Sequence, residues 1–122
     1  MTQEKVEAYF KKHYSNDPFM VKSPGRVNII GEHTDYNLGF VLPASIEKSI
    51  YFALQKNNSQ NLQVEAFLSQ PEKIILPING TSNGFDSFWG KYFEAILQIL
   101  LEKKYPIQGM DCVFGGDIPI GF

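Results

Sequence analysis

The chain has little of what several common kinds of site are built from. Its 122 residues include one cysteine, Cys112, and two histidines. A single cysteine excludes an internal disulfide framework and a cysteine-based zinc site. Cys112 lies in the apolar stretch 110–114, so we expect its thiol to be buried and unreactive.

A strong charge imbalance and a long apolar run are also missing. The formal net charge is −2, whereas nucleic acids and anionic membranes favour a basic surface. No stretch approaches the ~20 apolar residues of a membrane-spanning helix. Residues 1–14 carry three Lys and two Glu instead of the apolar core of a secretory signal. These absences predict a cytoplasmic protein that binds neither nucleic acid nor membrane.

The length and the hydrophobic content of 43% predict one domain, or part of one, over residues 1–122, with no internal boundary. Apolar spacing predicts helices over 3–14 and 87–104. Short β-rich runs predict strands over 19–22, 27–30, 40–43, 49–55, 62–66, 73–78 and 110–114. The strand at 62–66 is expected to form a hairpin with the strand before it, and Pro77 is expected to lie at a sheet edge. Strands followed by a helix and a strand predict an α+β fold.

The densest polar region follows directly after an apolar strand. Glu32, His33, Thr34 and Asp35 lie in one short loop, and Arg26 precedes them on the strand. Carboxylates that accept hydrogen bonds, beside groups that both donate and accept, suit the vicinal hydroxyls of a sugar. A fixed cation such as Arg26 suits a phosphoryl group being transferred.

Other roles for these residues remain open at this point. Glu32, His33 and Asp35 are candidates for a metal site, although neighbours on an extended segment usually point in opposite directions. Thr34 and Asp35 are also common turn residues, and an arginine often forms only a surface ion pair. The spacing therefore predicts a polar ligand without identifying it.

One resemblance narrows the choice. Residues 25–37, Gly-Arg-Val-Asn-Ile-Ile-Gly-Glu-His-Thr-Asp-Tyr-Asn, and residues 39–43, Gly-Phe-Val-Leu-Pro, closely resemble the galactokinase signature of the GHMP small-molecule kinase superfamily. Residues 89–92 and 116–121 are similar to further parts of the same family. The resemblance implies the N-terminal part of the GHMP kinase fold, with a mixed or antiparallel sheet and helices on one face. It also implies a chain truncated before the helix of the phosphate-binding loop.

The family's activity is the ATP-dependent phosphorylation of α-D-galactose to galactose 1-phosphate. The resemblance implies that Glu32, His33, Thr34 and Asp35 bind the sugar and that Arg26 stabilises the transferring phosphoryl group. It implies no metal ligand in this chain, since the residues for Mg²⁺ and the ATP phosphates, and the catalytic aspartate, are expected beyond residue 122. We therefore expect the chain alone to be inactive and to self-associate through surface exposed by truncation.

Three alternatives remain open beside this interpretation. The resemblance implies that Trp89 lines the adenine pocket, but Trp89 also fits as the first core residue of its helix. A galactose- and ATP-binding regulator without catalysis would resemble galactokinases over the same region. A kinase for a related sugar, such as N-acetylgalactosamine, would differ mainly in pocket size near C2.

Overall fold

The computed structural model describes residues 2–14, 17–30, 39–67, 70–80 and 88–118. In these residues the chain forms, in order, α1 (Gln3–His13), β1 (Phe19–Ile30), β2 (Leu42–Lys56), β3 (Asn61–Ala66), β4 (Glu72–Pro77), α2 (Gly90–Glu102) and β5 (Met110–Gly116). The strands form one sheet in the order β1-β2-β5-β3-β4. Because β5 runs antiparallel to β2 and parallel to β3, the sheet is mixed. The predicted α+β fold with a mixed sheet is confirmed.

Strand β1 is longer than the sequence predicts. The expected interruption at residues 23–25 is wrong, because β1 pairs with β2 from Phe19 opposite Leu54 to Ile30 opposite Leu42. The ladder has two register shifts, between Pro24 and Arg26 and between Asn28 and Ile30. Irregularities of this kind bend a strand locally and do not end it. Pro24 is tolerated because β1 lies at the edge of the sheet.

Strand β3 has different neighbours from those expected. The predicted hairpin of β3 with the preceding strand is wrong, since β5 lies between β2 and β3. Cys112 and Val113 are adjacent on β5 and both are buried, so this strand has apolar residues on both faces and suits a central position. Strand β4 and its Pro77 lie at the sheet edge, as predicted.

The two helices lie on opposite faces of the sheet, so the expectation of helices on one face is wrong. Val6 and Phe10 of α1 pack with Val113 of β5, whereas Leu97 of α2 packs with Cys112. Successive residues of a strand point to opposite faces, and β5 therefore presents one apolar residue to each helix. Both of its faces are covered.

Helix α2 ends at Glu102, two residues before the predicted end. Lys104 has a φ of +61°, a left-handed conformation that terminates a helix. Its predicted first residue, Ser87, lies outside the described residues. Among the residues described, neither helix has the length and apolar composition needed to cross a membrane.

Candidate functional site: the β1–β2 hairpin

The β1–β2 pair holds both ends of the polar loop. Ile30 lies opposite Leu42 in the last pair of the ladder, and paired residues in antiparallel strands lie roughly 5 Å apart. The segment 31–41 therefore begins and ends at one place on the sheet. Its predicted sugar-binding residues lie outside the described residues: Glu32, His33, Thr34 and Asp35.

Arg26 is placed on β1, on the strand that leads into this loop. It is exposed and lies opposite Ser45, immediately after a register shift. It lies four positions before Ile30, which corresponds to about 13 Å along a strand. Within the part of the chain that the structure describes, no ion pair involves Arg26. The described residues thus leave its guanidinium accessible near the base of the loop.

Three segments meet at Gly25, the residue before Arg26. A Cβ atom added at Gly25 would lie 3.1 Å from Cδ1 of Ile46 on β2 and 3.1 Å from Cδ1 of Ile118, which follows β5. These contacts are tight for carbon atoms, so the two isoleucine side chains lie directly against the Gly25 backbone. The segment after β5 is therefore packed beside the strand that carries Arg26.

Asp117 and Ser49 join that segment to β2. The backbone N–H of Ser49 donates to Oδ1 of Asp117 at 2.8 Å, and the backbone N–H of Asp117 donates to the carbonyl oxygen of Ser49 at 3.2 Å. The hydrogen bond from Ser49 is the main reason that the pKa of Asp117 lies below its usual value. The sequence offers only an acidic residue after an apolar strand as a signal of this contact, and that pattern does not identify the partner.

Trp89 lies in the core next to the start of α2. Its ring packs edge-on against Phe93 and Phe114, with ring centroids 5.8 and 5.1 Å apart. Its buried Nε1 has no hydrogen-bond partner among the described residues. The packing agrees with a core role, and the predicted contact with adenine stays a prediction.

The described residues do not fit a metal site. No group of three or more His, Cys, Asp or Glu residues suited to a metal ion is found in the described part of the chain. Cys112 is buried and unpaired, as predicted, and burial raises the pKa of its thiol to about 12. The thiol of Cys112 is therefore protonated near neutral pH and is a poor metal ligand. We assign no metal-dependent step to the described residues.

Comparison with known proteins finds a family resemblance in this hairpin. Residues 8–56 match the model of the galactokinase galactose-binding signature. The chain carries the galactokinase signature. The match runs from α1 to the end of β2, so it includes Arg26 and the whole loop 31–41. The resemblance predicted from the sequence is confirmed.

Galactokinases are also the relatives found over most of the chain. A Pyrococcus furiosus galactokinase is 39% identical over 101 residues, covering 83% of this chain and 27% of its own length. The crystal structure of Lactococcus lactis galactokinase complexed with galactose has a TM-score of 0.81 and 25% identity. It covers 96% of this chain, which spans 31% of that protein.

Mevalonate kinase from Methanococcus jannaschii shares the fold, with a TM-score of 0.64 at 19% identity over 86% of this chain and 34% of that protein. The chain spans only 26–30% of the length of the curated galactokinases that it matches. The expected GHMP kinase fold is therefore confirmed for the part of these proteins to which the chain corresponds.

Proposed function

We propose that this chain supplies the galactose-binding part of a galactokinase, which transfers the γ-phosphoryl group of MgATP to the C1 hydroxyl of α-D-galactose. One observation carries the proposal. The galactokinase signature coincides with a hairpin whose ladder closes at Ile30 and Leu42. Both ends of the segment 31–41 therefore lie at one end of the sheet.

The roles assigned to the individual side chains are part of this proposal. Glu32, His33, Thr34 and Asp35 hydrogen-bond the sugar hydroxyls, since these groups supply both acceptors and donors. Arg26 stabilises negative charge on the transferring phosphoryl group, as fixed cations do in phosphoryl transfer. Arg26 lies on the strand that leads into the loop and not in the loop itself. This position supports a role for Arg26 that differs from the sugar-binding role of the loop residues.

ATP and Mg²⁺ are the proposed co-substrate and metal. Trp89 is the candidate for contact with adenine, because its side chain beside the start of α2 is only partly buried. Since the chain spans under a third of the length of its relatives, we propose that this chain alone does not transfer phosphoryl groups. Galactose-dependent release of ADP by the isolated chain would contradict this.

The domain organisation, the self-association and the cellular location of the chain are also proposals. One sheet joins strands from both ends of the described chain, which supports a single unit without an internal boundary. The apolar side chains of Tyr92, Ile96 and Ile99 on α2 are exposed. We propose that the expected self-association occurs through this surface. The cytoplasmic location stays a prediction.

Titration calorimetry with D-galactose tests the proposed binding function. We expect the chain to bind D-galactose and to bind D-glucose, its C4 epimer, at least about tenfold more weakly, because a site built around particular hydroxyls discriminates strongly. Asp35→Ala is expected to abolish measurable binding. Glu72→Ala, which removes an exposed carboxylate on β4, is the matched control and is expected to bind galactose normally. Equal binding of both sugars would overturn the proposal.

A further inference from the structure

The contact between Ser49 and Asp117 extends the β2–β5 ladder beyond its last pair. That pair is Ile50 and Gly116, and the two hydrogen bonds between Ser49 and Asp117 follow it by one residue. Ser49 is completely buried and Asp117 is exposed, so the contact lies where β5 reaches the surface. The chain leaving β5 is consequently held to β2 by a backbone group and a carboxylate together.

The segment held in this way contacts the strand that carries Arg26. Ile118 is the next residue after Asp117, and its Cδ1 lies against the Gly25 backbone. Gly25 lies within the register shift between Pro24 and Arg26, where the ladder restrains the strand less than in a regular pair. Packing of Ile118 at this point therefore helps to fix the direction in which β1 presents Arg26.

We propose that Asp117 is a positioning residue, which bonds Ser49 and so holds Ile118 against Gly25 and orients Arg26 toward the phosphoryl group. This inference rests on the proposed function, because it concerns the action of Arg26 on a phosphoryl group. Asp117 itself contacts neither sugar nor phosphate in this account. Its effect is expected on ligands that carry a phosphate and not on the free sugar.

Comparison of two ligands tests the inference on the chain itself. Affinities for D-galactose and for galactose 1-phosphate are measured by calorimetry, and their ratio reports what the phosphate contributes. We expect Arg26→Ala to lower the affinity for galactose 1-phosphate about tenfold more than the affinity for galactose, as expected for a charge-assisted hydrogen bond. Asp117→Ala should lower the affinity for galactose 1-phosphate about threefold to tenfold and leave the affinity for galactose within about twofold.

Three further variants separate positioning from a general loss of structure. Asp117→Asn keeps an oxygen that accepts from the Ser49 N–H and should restore most of the galactose 1-phosphate affinity. Ile118→Ala keeps that hydrogen bond, removes the contact with Gly25 and should reproduce the effect of Asp117→Ala. Asp111→Ala is the matched control, since Asp111 is an acidic residue near the other end of β5 that accepts a hydrogen bond from Asn57. It should leave the ratio unchanged.

The outcomes distinguish this inference from the proposed function. If the unaltered chain binds neither ligand, the proposed function fails and the inference fails with it. If the chain binds both ligands and Arg26→Ala changes their ratio, the function stands. The inference is then overturned if Asp117→Ala leaves the ratio unchanged or weakens both ligands equally. If Asp117→Ala does not fold, as judged by thermal melting, the ratios for Asp117→Asn and Ile118→Ala decide.

Discussion

The Tyr9 hydroxyl donates a 2.5 Å hydrogen bond to Oε1 of Glu65, a carboxylate that is only 8% exposed. Tyr14 donates to the other oxygen of the same carboxylate, also at 2.5 Å. Both tyrosines belong to the N-terminal helical region and Glu65 belongs to β3. One buried acidic group thus fastens the first helix to the sheet.

Glu65→Ala is expected to lower the free energy of unfolding by about 2 kcal/mol. Two hydrogen bonds to a charged group are lost, and removal of a buried charge offsets part of that loss. The measurement is the urea midpoint at neutral pH. Glu72→Ala, on the exposed edge strand β4, is the control and should change the midpoint little. An equal shift for both variants would contradict a special role for Glu65.

The same contact predicts loss of stability at high pH. Hydrogen bonding to Glu65, followed by burial, raises the pKa of Tyr9 from 10 to about 12, and burial is the main cause that raises the pKa of Tyr14. A raised folded-state pKa contributes stability that is complete below the unfolded pKa and is lost as pH rises through the folded pKa. Stability should therefore fall between pH 10 and about 12. The double variant Tyr9→Phe/Tyr14→Phe should show a smaller fall in urea titrations over that range.

The contact of Asp117 predicts that stability rises with pH in the acid range, opposite to the effect of the tyrosines at high pH. Its pKa in the folded chain lies below its usual value of 3.8, chiefly because the carboxylate accepts a hydrogen bond from the Ser49 N–H. A lowered pKa contributes stability that is present above the unfolded pKa and is lost as pH falls through the folded pKa. Amide hydrogen exchange at Ser49, corrected for the intrinsic rate, should lose protection as pH falls below 3.8. In Asp117→Asn this protection should not change with pH over the same range.

Gly116 allows the close approach of β5 to β2. A Cβ atom at this position would lie 2.3 Å from the carbonyl oxygen of Ser49, closer than any real contact of that kind. Gly116→Ala should therefore force the strands apart and destabilise the chain by about 1–3 kcal/mol. Thermal unfolding provides the measurement, and an unchanged melting temperature would show that the strands separate at no cost.

Exposed apolar side chains on and just before α2 lead us to predict self-association. Tyr92 and Ile96 are 62% and 57% exposed and lie about one helical turn apart on α2. Phe88, just before the helix, is 77% exposed and its ring packs edge-on against Tyr92. Exposed apolar stripes of this kind mark surfaces that bind another molecule. The apparent mass from light scattering should therefore rise with concentration, and Tyr92→Lys should suppress the rise. Lys91→Ala, a neighbouring change that leaves the three side chains intact, should not suppress it.

The local pattern of apolar and polar residues predicted much of this structure. It did not predict the contacts between residues that are far apart in the sequence, and the reason is physical. Periodicity of two or 3.6 residues shows which residues share a face, and it located both helices and the end of β1 at Ile30. It does not show which strand lies beside which, so the insertion of β5 between β2 and β3 was missed. Tyr9 and Glu65 are 56 residues apart, and no local pattern connects them. Asp117 was missed in the same way, because its partner Ser49 lies on another strand.

The central position of β5 has a consequence for the order of events during synthesis. Strands β1 and β2 pair with each other, as do β3 and β4, so each pair can form soon after it leaves the ribosome. Within the described residues, the two hairpins are joined in the sheet by β5 (Met110–Gly116), which is made after the other four described strands. Until then both hairpins present unpaired edges, which readily pair with other chains. The nascent chain therefore passes through an interval in which aggregation competes with folding, until pairing of β5 with β2 and β3 covers those two edges.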